Sequence, residues 1–249
     1  MIQGQIFNFE SNKLEASKYR NSLQNLGKGS SMESFLINRR FNFKRIKFIM
    51  SHFSSADDLN KNECNNQLKK LLNISKIFNK PLSIANSAGI FLNKKYHLDF
   101  VRPGKSLYGI SPFNKKNYNL KQVMSIYAPI LQITDINKSQ TIGYSQTFKT
   151  NKKIKIATID FGYSDGYLRS GGNRGKVFID GIPCKILGRV SMDLITIDVS
   201  KVPMKKLYLG KPVEIIGINQ SYENIAYDTE TNEHEILISL GRNLSRVYF

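Results

Sequence analysis

"DFVRPGKSLYGI", residues 99–110, sets an arginine at the end of an apolar run and follows it at once with a Pro-Gly break. A buried guanidinium without acceptors is costly. Arg102 therefore either snorkels from an edge strand into water or aims its head group at a fixed acceptor. Pro103 and Gly104 end the strand and let the backbone come close to whatever lies in front of it. Upstream, "PLSIANSAGIF" (81–91) reads as an extended segment closing in a small-residue turn, and "RIKFIMSHF" (45–53) as a strand running into the polar turn "SSADD" (54–58). Between them Leu68, Leu71, Leu72 and Ile77 recur at helical spacing within residues 59–79. Strand, helix, strand, turn, strand is the order of a parallel α/β unit.

Beyond about residue 115 the texture changes. "QVMSIYAPILQITDI" (122–136), "TIGYSQTF" (141–148), "KIKIATIDFGY" (153–163), "GKVFIDGIPCKILGRVSMDLITIDVS" (175–200) and "PVEIIGI" (212–218) are short β-branched runs broken by Gly, Asn and Pro. They predict an all-β domain of barrel or sandwich type. "HEILISLGRNLSRVYF" (234–249) predicts a helix with a closing strand, and "SPFNKKNYN" (111–119) a polar linker. The expected division is 1–117 as a partial α/β domain and 118–249 as a C-terminal β domain. Before residue 45 only a helix over Met32–Arg40 and a loop at "NLGKGSS" (25–31) are expected.

Composition narrows the function classes. The chain has 249 residues, 41% of them hydrophobic, which suits a globular protein. Its formal charge of +18 raises nucleic acid as a partner. The lysines are spread evenly among Asn, Ile, Tyr and Phe, however, and the densest basic cluster, "NRRFNFKRIK" (38–47), precedes a strand, so nucleic-acid binding is disfavoured. Cys64 and Cys184 stand far apart without metal-ligand spacing, which predicts no disulfide framework and no metal site. No basic leader with an apolar run opens the sequence and no apolar stretch approaches the ~18 residues of a membrane span. The expectation is a cytoplasmic protein.

Four segments, in this order, resemble the motifs of alanine racemase: "SHFSSADD" (51–58), "ANSAGIF" (85–91), "VRPGKSLYGISP" (101–112), and "GYSDGYLR" (162–169) with "GGNRGKVFIDGIPCKILGRVSMDLITIDVS" (171–200). The resemblance spans residues 45–249. It implies an α/β (TIM-type) barrel followed by a β domain, pyridoxal phosphate as cofactor, and interconversion of L- and D-alanine, the latter destined for peptidoglycan. By the same resemblance Arg102 donates to the cofactor's pyridine nitrogen, with His52 orienting it. Asn86 and Ser87 of "ANSA" and the amides of Gly104 and Lys105 hold the phosphate. Tyr144 is the base facing L-alanine, and Met192 offers its backbone amide to the substrate carboxylate. Asp57, Tyr163, Arg169 and Arg189 line the entrance. Lys105 departs from the small or apolar residue usual there, and Ser191 from the usual cysteine.

The resemblance also implies a homodimer, in which the β domain reaches into the partner's barrel. It has no counterpart in these residues for the family's cofactor lysine on the first barrel strand, and about three of eight strand-helix units are represented. The expectation is a partial barrel that needs a complementing N-terminal fragment and is inactive alone. The alternative is a catalytically silent remnant that acts as an association or basic-surface module.

Overall fold

The computed structural model describes residues 46–59, 61–113, 118–240 and 244–248. The helix expected at Met32–Arg40 and the loop at 25–31 lie outside them. The chain divides into two compact units, the first ending in Leu107 and Ser111–Tyr118, the second made of Tyr108–Ile110 and Asn119 onward.

In the first unit β1 (Ile49–Met50) pairs in parallel with β2 (Leu82–Ser83), and α1 (Lys61–Phe78) crosses between them. Cys64 and Leu71 are buried and Leu68 packs beside them, one helical face at spacings of four and three residues. Leu72, expected on that face, is exposed. A short helix, α2 (Ser87–Leu92), replaces the expected small-residue turn, because the side chain of Asn86 accepts from the Gly89 amide at 3.0 Å and caps it. The third strand shrinks to a single parallel bridge between Ser83 and Phe100. Phe100 and Val101 are exposed, and Pro103 brings no amide hydrogen to extend a ladder. Arg102 still follows β2, through its amide to the Ala85 carbonyl at 2.9 Å.

The second unit is a six-stranded antiparallel sheet, built from β3 (Ile126–Ile136), β6 (Ile154–Asp160), β7 (Lys176–Ile179), β8 (Ile182–Lys185), β9 (Leu194–Asp198) and β10 (Pro212–Ile216). Its order is β8-β7-β10-β3-β6-β9, and the two edges meet through the Ile186–Ile197 bridge and the Leu187 amide on the Thr196 carbonyl at 2.9 Å. The sheet thus closes on itself, which removes the exposed edges an open sheet would present. Alternation fills the interior: Ile195 and Ile197 on β9, Ala157 and Ile159 on β6, and Val177 and Ile179 on β7 are all fully buried. Each buried isoleucine contributes about 1.5–3 kcal/mol. A two-stranded pair, β4 (Thr141–Ile142) with β5 (Phe148–Lys149), packs Ile142 and Phe148 into a small cluster with Ile154 of β6 and Leu187, and α3 (Tyr222–Asp228) and α4 (Glu233–Ser239) complete the unit. The strand expected at the C-terminus does not form over 244–248.

Burial here has a pH signature. It pushes the Cys184 thiol from 9.0 up to about 12, with Asp198 adding to it, and the Tyr222 phenol from 10.0 up to about 12, with Glu223 adding to it. The folded state keeps protons that the unfolded chain releases. These contributions to stability are full below about pH 8.5 and decline as pH rises towards about 12. The urea midpoint is expected to fall steadily over that window, and a flat profile would show that neither group is shielded.

Candidate functional site

In the first unit the residues singled out in the sequence meet around the head group of Arg102. Its Nε donates to Ser83 Oγ at 3.0 Å, Nη1 contacts His52 Nδ1 at 3.2 Å, and Nη2 donates to the carbonyls of Ser51 and of Ile84, the latter at 3.3 Å. Burial lowers the guanidinium's pKa, but from so high a starting value that it stays protonated. A guanidinium has five N–H groups. Among the described residues these contacts use four, leaving one on Nη1 for a single lone pair.

Because a guanidinium only donates, Nδ1 of His52 is the acceptor, and a neutral imidazole then carries its hydrogen on Nε2. Asn86 Nδ2 lies 3.3 Å from that nitrogen, while its Oδ1 is held by the Gly89 amide. Two donors therefore face each other there, and the contact is one of packing rather than a hydrogen bond.

Beside this group Ser87, buried at the start of α2, accepts from the amides of Gly104 at 2.9 Å and Ser106 at 3.4 Å. Its Oγ is thus fixed as an acceptor, with its own hydrogen still to give. A Cβ at Gly104 would meet nothing nearer than Ser87 Oγ at 3.9 Å, so open space lies before that backbone. Ser106 Oγ is buried without a hydrogen-bond partner among the described residues. Two hydroxyls and the 104–106 backbone, gathered beside a fixed cation, form a cradle of the kind that takes an anion. Lys105 belongs to the same turn, and Asp57 stands exposed on the turn before α1 with no hydrogen bond to Arg102 or Ser87.

The other predicted residues gather in the second unit, on the three loops 143–147, 161–175 and 186–193. Tyr144 lies in a tight turn, Tyr144–Gln146, instead of the strand expected over 141–148. It is 68% exposed, which rules out a core role for the ring. Gly143 enters the turn with φ of 79° and Gly188 faces it with φ of 77°; a Cβ on Gly143 would stand 3.2 Å from the Gly188 Cα. Only residues tolerant of positive φ can be so packed. Arg189 Nη1 then donates to Ser145 Oγ at 3.1 Å, which sets its charge beside Tyr144. Asn173 ties the same two loops, accepting from the Gly188 amide at 2.6 Å and donating to the Thr147 carbonyl at 3.3 Å. Tyr163 and Met192 lie further along the 161–175 and 186–193 loops: the Tyr163 amide bonds Ser191 O at 3.0 Å and the Ser164 amide bonds Met192 O at 2.9 Å. The Met192 amide makes no hydrogen bond among the described residues. Arg169 is exposed on the turn Arg169–Gly171, and the next residue, Gly172, packs against Gly188 and Arg189.

Ser83, Ser106, Ser145 and Asn173 were not foreseen. Ser83 and Arg102 lie 19 residues apart, and Ser145 and Arg189 lie 44 apart, so no local pattern links them.

Residues 36–112 match the model of the alanine racemase N-terminal domain and residues 123–248 that of the alanine racemase C-terminal domain. The chain belongs to the alanine racemase family. It is 38% identical to the alanine racemase of Rickettsia bellii over 92% of its own length and 57% of that protein's. It is 39% identical to that of Rickettsia canadensis over 92% and 64%. Among solved structures, alanine racemase from Bartonella henselae, with covalently bound pyridoxal phosphate, shares 36% identity and a TM-score of 0.81, with 90% of this chain and 64% of that one covered. That from Acinetobacter baumannii gives 35% and 0.69 over 79% and 55%. The chain thus spans roughly three-fifths of the length of these racemases. Among the described residues no helix is long and apolar enough to cross a membrane.

Proposed function

We propose that this chain contributes two halves of an alanine racemase site: a cradle for pyridoxal phosphate in the first unit and the proton-handling Tyr144 in the second. The observation that carries this reading is the geometry at Arg102, whose head group is fixed by Ser83, His52 and two carbonyls with one N–H to spare. One donor suits the one lone pair of a pyridine nitrogen. Ser87, through its own hydroxyl hydrogen, and the amide of Lys105 would hold the phosphate, while the Gly104 amide, bonded to Ser87 Oγ at 2.9 Å, fixes that hydroxyl. Bound there, the cofactor would supply a conjugated ring to receive the electron pair set free when the α-proton of alanine leaves.

Arg102 gives a hydrogen bond and keeps its proton, which restrains electron withdrawal and with it side routes such as transamination. His52 fixes the guanidinium plane, a supporting role common around cofactors. Tyr144 takes or returns the α-proton at its phenolic oxygen on the L face. A tyrosine is a weak base in general, and Arg189 is held on the residue next to it through Ser145 Oγ. Met192 N–H orients the substrate carboxylate, and Asp57, Tyr163 and Arg169 shape the entrance. An exposed Tyr144 suits a site completed by a second copy of the chain, so the active form is a homodimer. The cofactor's covalent anchor and the base for the D face are lysine chemistry that the resemblance assigns to a segment with no counterpart in these residues. The 249 residues by themselves are expected to bind without turnover.

The test is an absorbance titration of the purified chain with pyridoxal phosphate, then borohydride reduction, peptide mapping and an assay for D-alanine formed from L-alanine. Expected are saturable binding, no reducible lysine adduct and no D-alanine. Ser87→Ala should weaken binding about tenfold, the size of one charge-assisted hydrogen bond. Equal affinity in that variant would remove the cradle from the proposal, and an adduct with turnover would show that one of these lysines serves as the anchor.

A further inference from the structure

A second polar cluster lies inside the β domain, away from the loop residues assigned above. Tyr167 and Gln220 are fully buried, and three atoms, Tyr167 Oη, Gln220 Oε1 and Asp228 Oδ2, are shut off from solvent with no hydrogen-bond partner among the described residues. They share one neighbourhood. The Gln220 side-chain amide donates at 3.1 Å to the carbonyl of Lys176, the neighbour of Gly175, and reaches the Asp228 carboxylate, while Thr229, next to Asp228, faces the Tyr167 ring across Gly171, where an added Cβ would stand 3.0 Å from Thr229 Cγ2. The Tyr167 hydroxyl points at Gly175, where an added Cβ would stand 2.3 Å from it. Across the ring, a Cβ on Gly171 would stand 2.7 Å from Tyr167 Cε1.

The valences of the three atoms are complementary. Tyr167 offers one O–H, and Gln220 Oε1 and Asp228 Oδ2 each need a donor. One molecule with two hydrogens and a lone pair satisfies all three, and about three hydrogen bonds is what buried waters typically make. Left unpaired, each buried group would cost stability.

We propose that a single ordered water molecule is bound among Tyr167, Gln220 and Asp228, accepting from the phenol and donating to the two oxygens. Its consequence is mechanical. The segment from Gly162 to Gly175 carries Tyr163 and Arg169, and this water fastens it to the end of α3, where Ser170 Oγ already donates to the Thr229 carbonyl at 2.8 Å. The inference does not rest on the racemase reading, since it concerns only the interior of the β domain.

The test is a crystal structure of the whole chain at a resolution that shows ordered solvent, paired with thermal unfolding of Tyr167→Phe, Asp228→Asn and the double variant. With the water in place, Tyr167→Phe loses a hydrogen bond and lowers Tm by about 2–4 °C. The two substitutions then combine non-additively, because they share one bridging partner. With no water, Tyr167→Phe removes an unpaired buried hydroxyl and leaves Tm unchanged or raised. Density at the site together with a lowered Tm is the expected result. A dry site, or a Tyr167→Phe protein that melts at or above the parent, overturns the proposal.

Discussion

Tyr144→Phe is expected to slow abstraction of the α-proton from L-alanine by about 10²–10⁴-fold, the usual contribution of one acid–base group. The measurement requires an assembly that turns over, formed when the chain is joined to a segment supplying the lysine, with deuterium exchange at Cα followed from each enantiomer. The asymmetry makes the test specific. A phenol on the L face matters most for exchange from L-alanine, whereas a merely structural tyrosine would depress both directions alike. Absorbance titration should show cofactor affinity unchanged, since Tyr144 lies on an exposed turn of the β domain and the cradle residues belong to the other unit. Unchanged exchange from L-alanine would remove Tyr144 from the mechanism while leaving the Arg102 cradle standing.

Gly162→Ala is expected to lower stability by about 3 kcal/mol, at the upper end of ordinary overpacking. The reason is geometric. A Cβ at this position would fall 2.0 Å from the Met192 carbonyl oxygen and 2.5 Å from the Asp193 nitrogen, both backbone atoms that cannot rotate aside. The 191–194 loop would have to retreat, breaking the Tyr163 and Ser164 amide bonds to it. Thermal unfolding should show Tm lower by about 6–12 °C at the rate usual for chains of this size. Gly210→Ala is the control: its φ is 81°, but nothing lies within 4 Å of the added Cβ, so only the left-handed backbone resists it. That cost is about 1–2 kcal/mol. If Gly162→Ala melts with the control, the two loops are not packed as described, and the placement of Tyr163 beside Met192 falls with them.

Much of the architecture was legible in the residues. Short β-branched runs marked β6, β7, β9 and β10, and Leu68, Leu71, Leu72 and Ile77 at helical spacing marked α1, where Leu71 is buried and Leu72 exposed. Each such pattern records which side of one element avoids water, and that is a local property. Boundaries failed where the pattern was apolar but its surroundings were not. Phe100 and Val101 look like strand residues, yet they are half exposed around a single bridge. In "TIGYSQTF" the β-like run is broken by the positive φ of Gly143, Ser145 and Gln146, which turn Tyr144 outward. The motifs brought His52, Ser87 and Arg102 onto one short list, but only as a resemblance.

What the sequence by itself determined was the order of an α/β unit followed by a β domain, the type of most elements, and the family. The tertiary structure alone decided the strand order, the closure of the barrel by Ile186 on Ile197, and the partners of Arg102 other than His52, which come from Ser51, Ser83 and Ile84. The physical reason is range. Periodicity is set by neighbours a few residues apart. A guanidinium reaching 51 residues back along the chain is held by contacts that exist only after folding has brought β1 and β2 side by side.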